Sequence, residues 1–185
     1  MNRILFPLCL CFVFLFAACS KDDDSSSGGA VTNPPGSGVA EFSWSMDGTS
    51  FESNPLLVAG TSASSSGLTT KLASGTVISN GDTTTVAITM TAFNASSFAV
   101  GAVFDASNTV LGNWCFGVVT VNSGGSSSEY EAFSTNGDLP ASATITSYDE
   151  DNEIFSGTFS FEAYDDVNDV SKVVSNGIFT EVEFD

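Results

Sequence analysis

The sequence predicts an all-β protein, an antiparallel meander of about nine strands forming a β-sandwich or a partly closed barrel. Three observations predict it. Apolar and polar residues alternate with period two over long stretches, most cleanly at 154–164. There Phe155, Gly157, Phe159, Phe161 and Ala163 share one face, and Ser156, Thr158, Ser160 and Glu162 the other. Asp-Gly, Ser-Gly and Asn-Gly pairs recur between the apolar runs, as hairpin turns require. No helical period lasts beyond about two turns, and neither a GxGxxG nor a P-loop pattern occurs.

The chain opens with Met1-Asn2-Arg3 and an almost wholly apolar run from Ile4 to Phe16, the n-region and h-region of a secretory leader. The run is shorter than the roughly 20 apolar residues a spanning helix needs, and it contains Pro7. It ends in Ala17-Ala18-Cys19, small residues before a cysteine, where a bacterial lipoprotein is cut and lipidated. Residues 1–18 are therefore expected to be removed and Cys19 to carry the acyl chains. More than one chain on one cysteine makes an anchor that does not come off, since each buried methylene is worth about 0.8 kcal/mol. Lys21-Asp22-Asp23-Asp24 resembles the signal that sends Bacteroidota lipoproteins to the outer face of the outer membrane. The expected location is the outer membrane, lipid-anchored and facing the exterior.

Residues 19–39 hold Ser25-Ser26-Ser27-Gly28-Gly29, Pro34-Pro35 and Gly36-Ser37-Gly38, with little to bury, and read as a flexible tether. As a coil, such a length reaches roughly 25 Å, enough to lift a domain off the headgroups. A single domain is expected over 40–185. Glu41 to Met46 alternates, and Asp47-Gly48 turns the chain into Phe51. Strands are expected near 56–60, 67–79, 97–104, 109–121 and 128–134. Another runs over 83–93, with Val86, Ile88, Met90 and Ala92 on one face. A strand containing Ile145 ends near Tyr148, the alternating run 154–164 follows, and 172–184 closes the sheet with a bulge at Asn176-Gly177.

Ser156-Gly157-Thr158-Phe159-Ser160-Phe161-Glu162-Ala163, followed by Ser175-Asn176-Gly177-Ile178-Phe179, resembles the C-terminal signature of a family of Bacteroidota lipoproteins whose shared domain has no assigned function. The resemblance is close over 143–182 and loose over the rest of 40–185. It implies a lipobox, a Ser/Gly linker, a Trp-bearing first strand and a closing hairpin. It implies no catalytic residue, because each position in the motif has a packing or turning role.

Composition restricts the chemistry further. The formal net charge is −18, there is no histidine, and the only arginine, Arg3, lies in the leader. Ser-His and Cys-His nucleophile pairs are therefore excluded, and bidentate capture of phosphate or carboxylate is excluded from the mature chain. Nucleic acid would be repelled, with only Lys21, Lys71 and Lys172 to meet phosphates. Cys9 and Cys11 leave with the leader and Cys19 is acylated, so Cys115 has no partner and reads as a small buried hydrophobe. No enzyme is expected: no carboxylate pair is marked by sequence as a glycosidase would require.

Two acidic loops carry the metal candidates, Asp149, Asp151 and Glu153 in one and Asp165, Asp166 and Asp169 in the other. Closely spaced carboxylates suit calcium, although neither loop has the EF-hand spacing. The loops flank 154–164, roughly 33 Å long as a strand, so they cannot share one ion. Tyr148 and Tyr164, at strand ends beside them, are the candidate aromatics for stacking on a glycan, whereas Trp44 and Trp114 are expected in the core. The expected function is a non-catalytic binding or accessory module at the cell surface. A glycan-capture module and a calcium-stabilised structural or adhesin-like domain are the alternatives, with a glycan or a surface protein as partner.

Overall fold

The computed structural model describes residues 39–107, 112–134 and 137–184. The leader, Cys19 and the Lys21–Asp24 signal lie outside the described residues. The strands, in chain order, are β1 (Glu41–Met46), β2 (Thr49–Glu52), β3 (Val58–Ser65), β4 (Leu68–Ser79), β5 (Asp82–Ala92), β6 (Val103–Asp105) and β7 (Trp114–Ser123). Then come β8 (Ser126–Glu131), β9 (Phe133–Ser134), β10 (Gly137–Asp138), β11 (Ala141–Asp149), β12 (Ile154–Asp165) and β13 (Val170–Glu183). All pairings are antiparallel, so the all-β prediction holds. Eleven strands make one sheet, and β9 with β10 makes a separate two-stranded one.

The large sheet folds over on itself as a sandwich. One layer runs β2-β1-β13-β12-β11-β6 and the other β8-β7-β5-β4-β3. They join where β12 meets β8 at a single described pair, Tyr164 and Glu131. The terminal strands of the main path, β2 and β3, do not pair, so no barrel closes. Hairpins supply most neighbours. Two-residue turns with positive φ at both positions connect β1 to β2 (Asp47-Gly48), β3 to β4 (Ser66-Gly67) and β4 to β5 (Asn80-Gly81).

The two inner faces divide the packing unequally. The first layer contributes Phe42, Trp44, Phe155, Phe159, Phe161 and Phe179, all buried. The second contributes smaller residues, among them Ala73, Val86, Cys115 and Val119. Gly75 of β4 sits under the Phe42 ring, and Gly117 of β7 under the Phe161 ring. A Cβ at either glycine would clash with carbons of the facing ring. Large residues on one layer thus fill space that small residues on the other leave, as dense cores require. Ser53, buried after β2, pins the layers at one side: its hydroxyl donates to the Thr76 carbonyl at 2.8 Å and accepts from the Thr76 N–H at 2.9 Å.

Several expected elements differ in detail. The stretch 97–104 is not a strand. Asn94 caps a short 3-10 turn at Ala95–Ser97 through its side chain, and only β6 forms beyond it. Another 3-10 turn at Pro55–Leu57, capped by Asn54, delays β3 to Val58. The bulge at Asn176-Gly177 is present: Asn176 has φ +50°, and the register of β13 against both β1 and β12 shifts there. A second shift occurs where Thr180 and Glu181 pass Ser156, with Glu181 at φ +50° and its N–H bonded to the Ser156 hydroxyl.

Candidate binding face

The outward face of the second layer carries the most distinctive arrangement of side chains. Cross-strand partners share a face, so the register defines its rows. One row runs Ala63, Thr70, Thr91, Trp114 across β3, β4, β5 and β7, and the next runs Thr61, Leu72, Thr89, Phe116. Neither row contains a charged residue. Trp114 and Phe116 are half-buried and near-parallel, with ring centroids 6.0 Å apart at 22°. The Thr70 and Thr91 hydroxyls bond one another at 3.0 Å, as do those of Thr76 and Thr85 farther along at 2.9 Å.

The expectation that both tryptophans are core residues therefore holds for one of them. Trp44 is 2% exposed, with its indole N–H buried and unpartnered among the described residues, while Trp114 looks outward. The reason lies in Trp114-Cys115-Phe116-Gly117. The inward positions must be small because Phe161 fills the space opposite Gly117, and the aromatics take the outward ones. Alternation of aromatic with Cys and Gly was the available sequence signal.

One row beyond Trp114, where Ser65 pairs with Leu68, the surface dips into an open hollow of about 380 Å³. Residues 64–69 and 93–95 line it: serines and a threonine, Leu68, Asn94, and Phe93, which is 53% exposed. No lining residue is charged. Both described lysines are engaged elsewhere. Lys172 pairs with Asp47 at 2.8 Å. Lys71 points inward, 3% exposed, with its ammonium 3.1 Å from the Phe184 ring centroid, 5.4 Å from Tyr148 and 5.6 Å from Phe98, and donating to the Ser62 hydroxyl at 3.2 Å. Burial pushes its pKa down to about 8 against the pull of Glu150 and Glu153.

Tyr148 and Tyr164 lie toward opposite ends of β12 and do not converge on one site. Tyr148 stacks on Phe184 with centroids 5.8 Å apart, and the Tyr164 hydroxyl donates to Asp169. The acidic loops are hairpin turns in which carboxylates serve the turn itself. Asp149 accepts from the N–H and side-chain amide of Asn152, at 3.0 and 2.7 Å. Asp165 accepts from the N–H groups of Val167 and Asn168 and from the Asn168 amide. Both carboxyls sit below their usual range, chiefly through these asparagine bonds. Asp151, Glu153 and Asp166 occupy the same two turns, and no group of three or more acids among the described residues is placed to hold a metal ion.

Since Asp149 and Asp165 bind protons less readily when folded, the stability they lend is present above pH 3.8 and lost as pH falls below it. Acid titration followed by circular dichroism is expected to show Asp165→Ala with a shallower acid transition than the native chain. Equal slopes would remove the turn-capping role.

A different cavity, of about 450 Å³, opens where β3 passes the end of β13, between Pro55, Val58, Glu153, Glu181 and Phe184. One Glu181 carboxylate oxygen is buried there and has no partner among the described residues. No protein-family model, curated protein or solved structure matches this chain.

Proposed function

We propose that this protein is a lipid-anchored, non-catalytic binding module displayed on the outer face of the outer membrane. The observation that carries the binding role is the outward face of the second layer, where half-buried Trp114 and Phe116 lie among threonines in uncharged rows. In a chain of net charge −18, a charge-free strip that retains aromatic side chains is a surface kept for contact rather than solubility. The leader and Cys19 support the anchor, and Lys21-Asp22-Asp23-Asp24 supports the outward orientation.

Fractionation tests the placement. The native protein is expected in the membrane fraction and to be degraded by protease added to intact cells. Cys19→Ser is expected in the soluble fraction with its stability unchanged. A native protein that stays soluble, or that survives protease on intact cells, would overturn the surface placement.

A further inference from the structure

We infer that the ligand of this face is a neutral oligosaccharide, lying across the strands from the Trp114–Phe116 pair toward the hollow beside Phe93. The inference rests on the reading of the face as a binding surface and adds the chemistry of its occupant. Charge makes the first selection. The two rows and the hollow contain neither acid nor base, and Glu131 and Glu129 on β8 lie one and two rows away, opposite Val118 and Thr120. An anionic chain would meet no cation and the repulsion of the whole molecule, and a cationic one would gain more at the acidic hairpins.

The polar groups make the second selection. Thr61, Thr70 and Thr89 offer hydroxyls at the surface, each able to donate one hydrogen bond and accept two, while Thr91 is buried beneath them. The Thr70–Thr91 bond uses one donor and one acceptor of that pair and leaves further capacity. Serines and Asn94 continue this chemistry into the hollow. A sugar ring matches such a surface, with hydroxyls at its rim and an apolar C–H face to lay on Trp114. A protein interface core is instead poor in Ser and Ala and denser in large apolar residues.

Direction follows from register. The rows run perpendicular to the strands, about 14 Å from β3 to β7 at the usual strand spacing. Small Ala63 leaves the far end of its row low. A flat, shallow face gives a modest affinity per site, which many copies on one membrane would multiply.

The test titrates the mature chain in detergent with neutral cello-, malto-, xylo- and manno-oligosaccharides and with polygalacturonate, following tryptophan fluorescence and calorimetry. Saturable binding of at least one neutral class and none of the polyanion is expected. Trp114→Ala is expected to weaken binding at least about tenfold, equal to about 1.4 kcal/mol, with the chain still folded and its melting temperature lowered only modestly by the lost indole packing. Thr89→Val, which keeps the shape and removes a hydroxyl, is expected to weaken it less. Binding of polygalacturonate alone, or of no member of the series, overturns the oligosaccharide. Sedimentation of native and Trp114→Ala chains then separates the remaining cases. A native dimer that Trp114→Ala dissociates means a second copy covers the face, so the face binds but not sugar. If cells bearing either chain adhere equally to extracellular protein and polysaccharide, the face itself is not a binding surface.

Discussion

Gly117→Val is expected to destabilise the fold by more than about 3 kcal/mol, a large share of the 5–15 kcal/mol that a domain commands. Valine suits a strand better than glycine does, so local propensity predicts the opposite sign. The loss comes from across the core. The added Cβ clashes with the Phe161 ring carbons, and Phe161 is 3% exposed, beside Phe159 with ring centroids 6.2 Å apart. The ring has little room to yield. Urea unfolding should show a lower midpoint with an unchanged slope. Pairing Gly117→Val with Phe161→Leu should cost less than the sum of the single changes, because the smaller side chain admits the methyl groups. Additive losses, or a native-like midpoint for Gly117→Val, would show that β7 and β12 do not pack in this way.

The same packing decides where the aromatic surface lies. Phe161 and Phe42 from the first layer occupy the space above Gly117 and Gly75, so the second layer must turn small residues inward. On β7 that leaves Trp114 and Phe116 only the outward positions. The core and the outward aromatic face are two consequences of one alternation. A change at Gly117 would therefore disturb both, whereas a change at Trp114 should disturb chiefly the face.

Much of this was legible in the sequence. Period-two alternation marks which residues share a face, and it placed Phe155, Phe159, Phe161 and Ala163 inside. Asn176-Gly177 announced its bulge because both residues tolerate positive φ. Glu181 announced nothing, since glutamate carries no such preference, yet it holds φ +50° at a second bulge. Alternation also says nothing about which strands are neighbours, so the pairing of β1 with β13 was not readable. Nor was the exposure of Trp114, which depends on a phenylalanine far along the chain. The acidic loops read as metal candidates from composition, but whether a carboxylate faces an ion or its own turn depends on local hydrogen bonds. Asn152 and Asn168, three residues after Asp149 and Asp165, supply them.

Between pH 8 and 12 the stability of the fold is expected to rise, level off and then fall, through two buried groups that oppose one another. Lys71 has a folded pKa of about 8 against 10.5, so over that interval the unfolded chain holds a proton that the native one has released. Stability therefore rises with pH there. Cys115, fully buried and donating to the Phe104 carbonyl at 3.3 Å, is pushed by burial up to about 12 from 9.0. Here the native state keeps the proton that the unfolded one loses, and stability falls. The lysine acts alone from pH 8 to 9, the two nearly cancel to 10.5, and the thiol then prevails, joined by Tyr148 and Tyr164, whose pKa values are also raised. At about 1.4 kcal/mol per proton and pH unit, the variants should separate widely. From pH 9 to 10.5, Cys115→Ala should gain roughly 1.5 kcal/mol and Lys71→Met lose as much, while the native chain stays level. Urea midpoints measured across the interval decide the matter. Parallel curves for the native chain and Lys71→Met would mean that the amine titrates as it does in water and is not enclosed by Phe98, Tyr148 and Phe184.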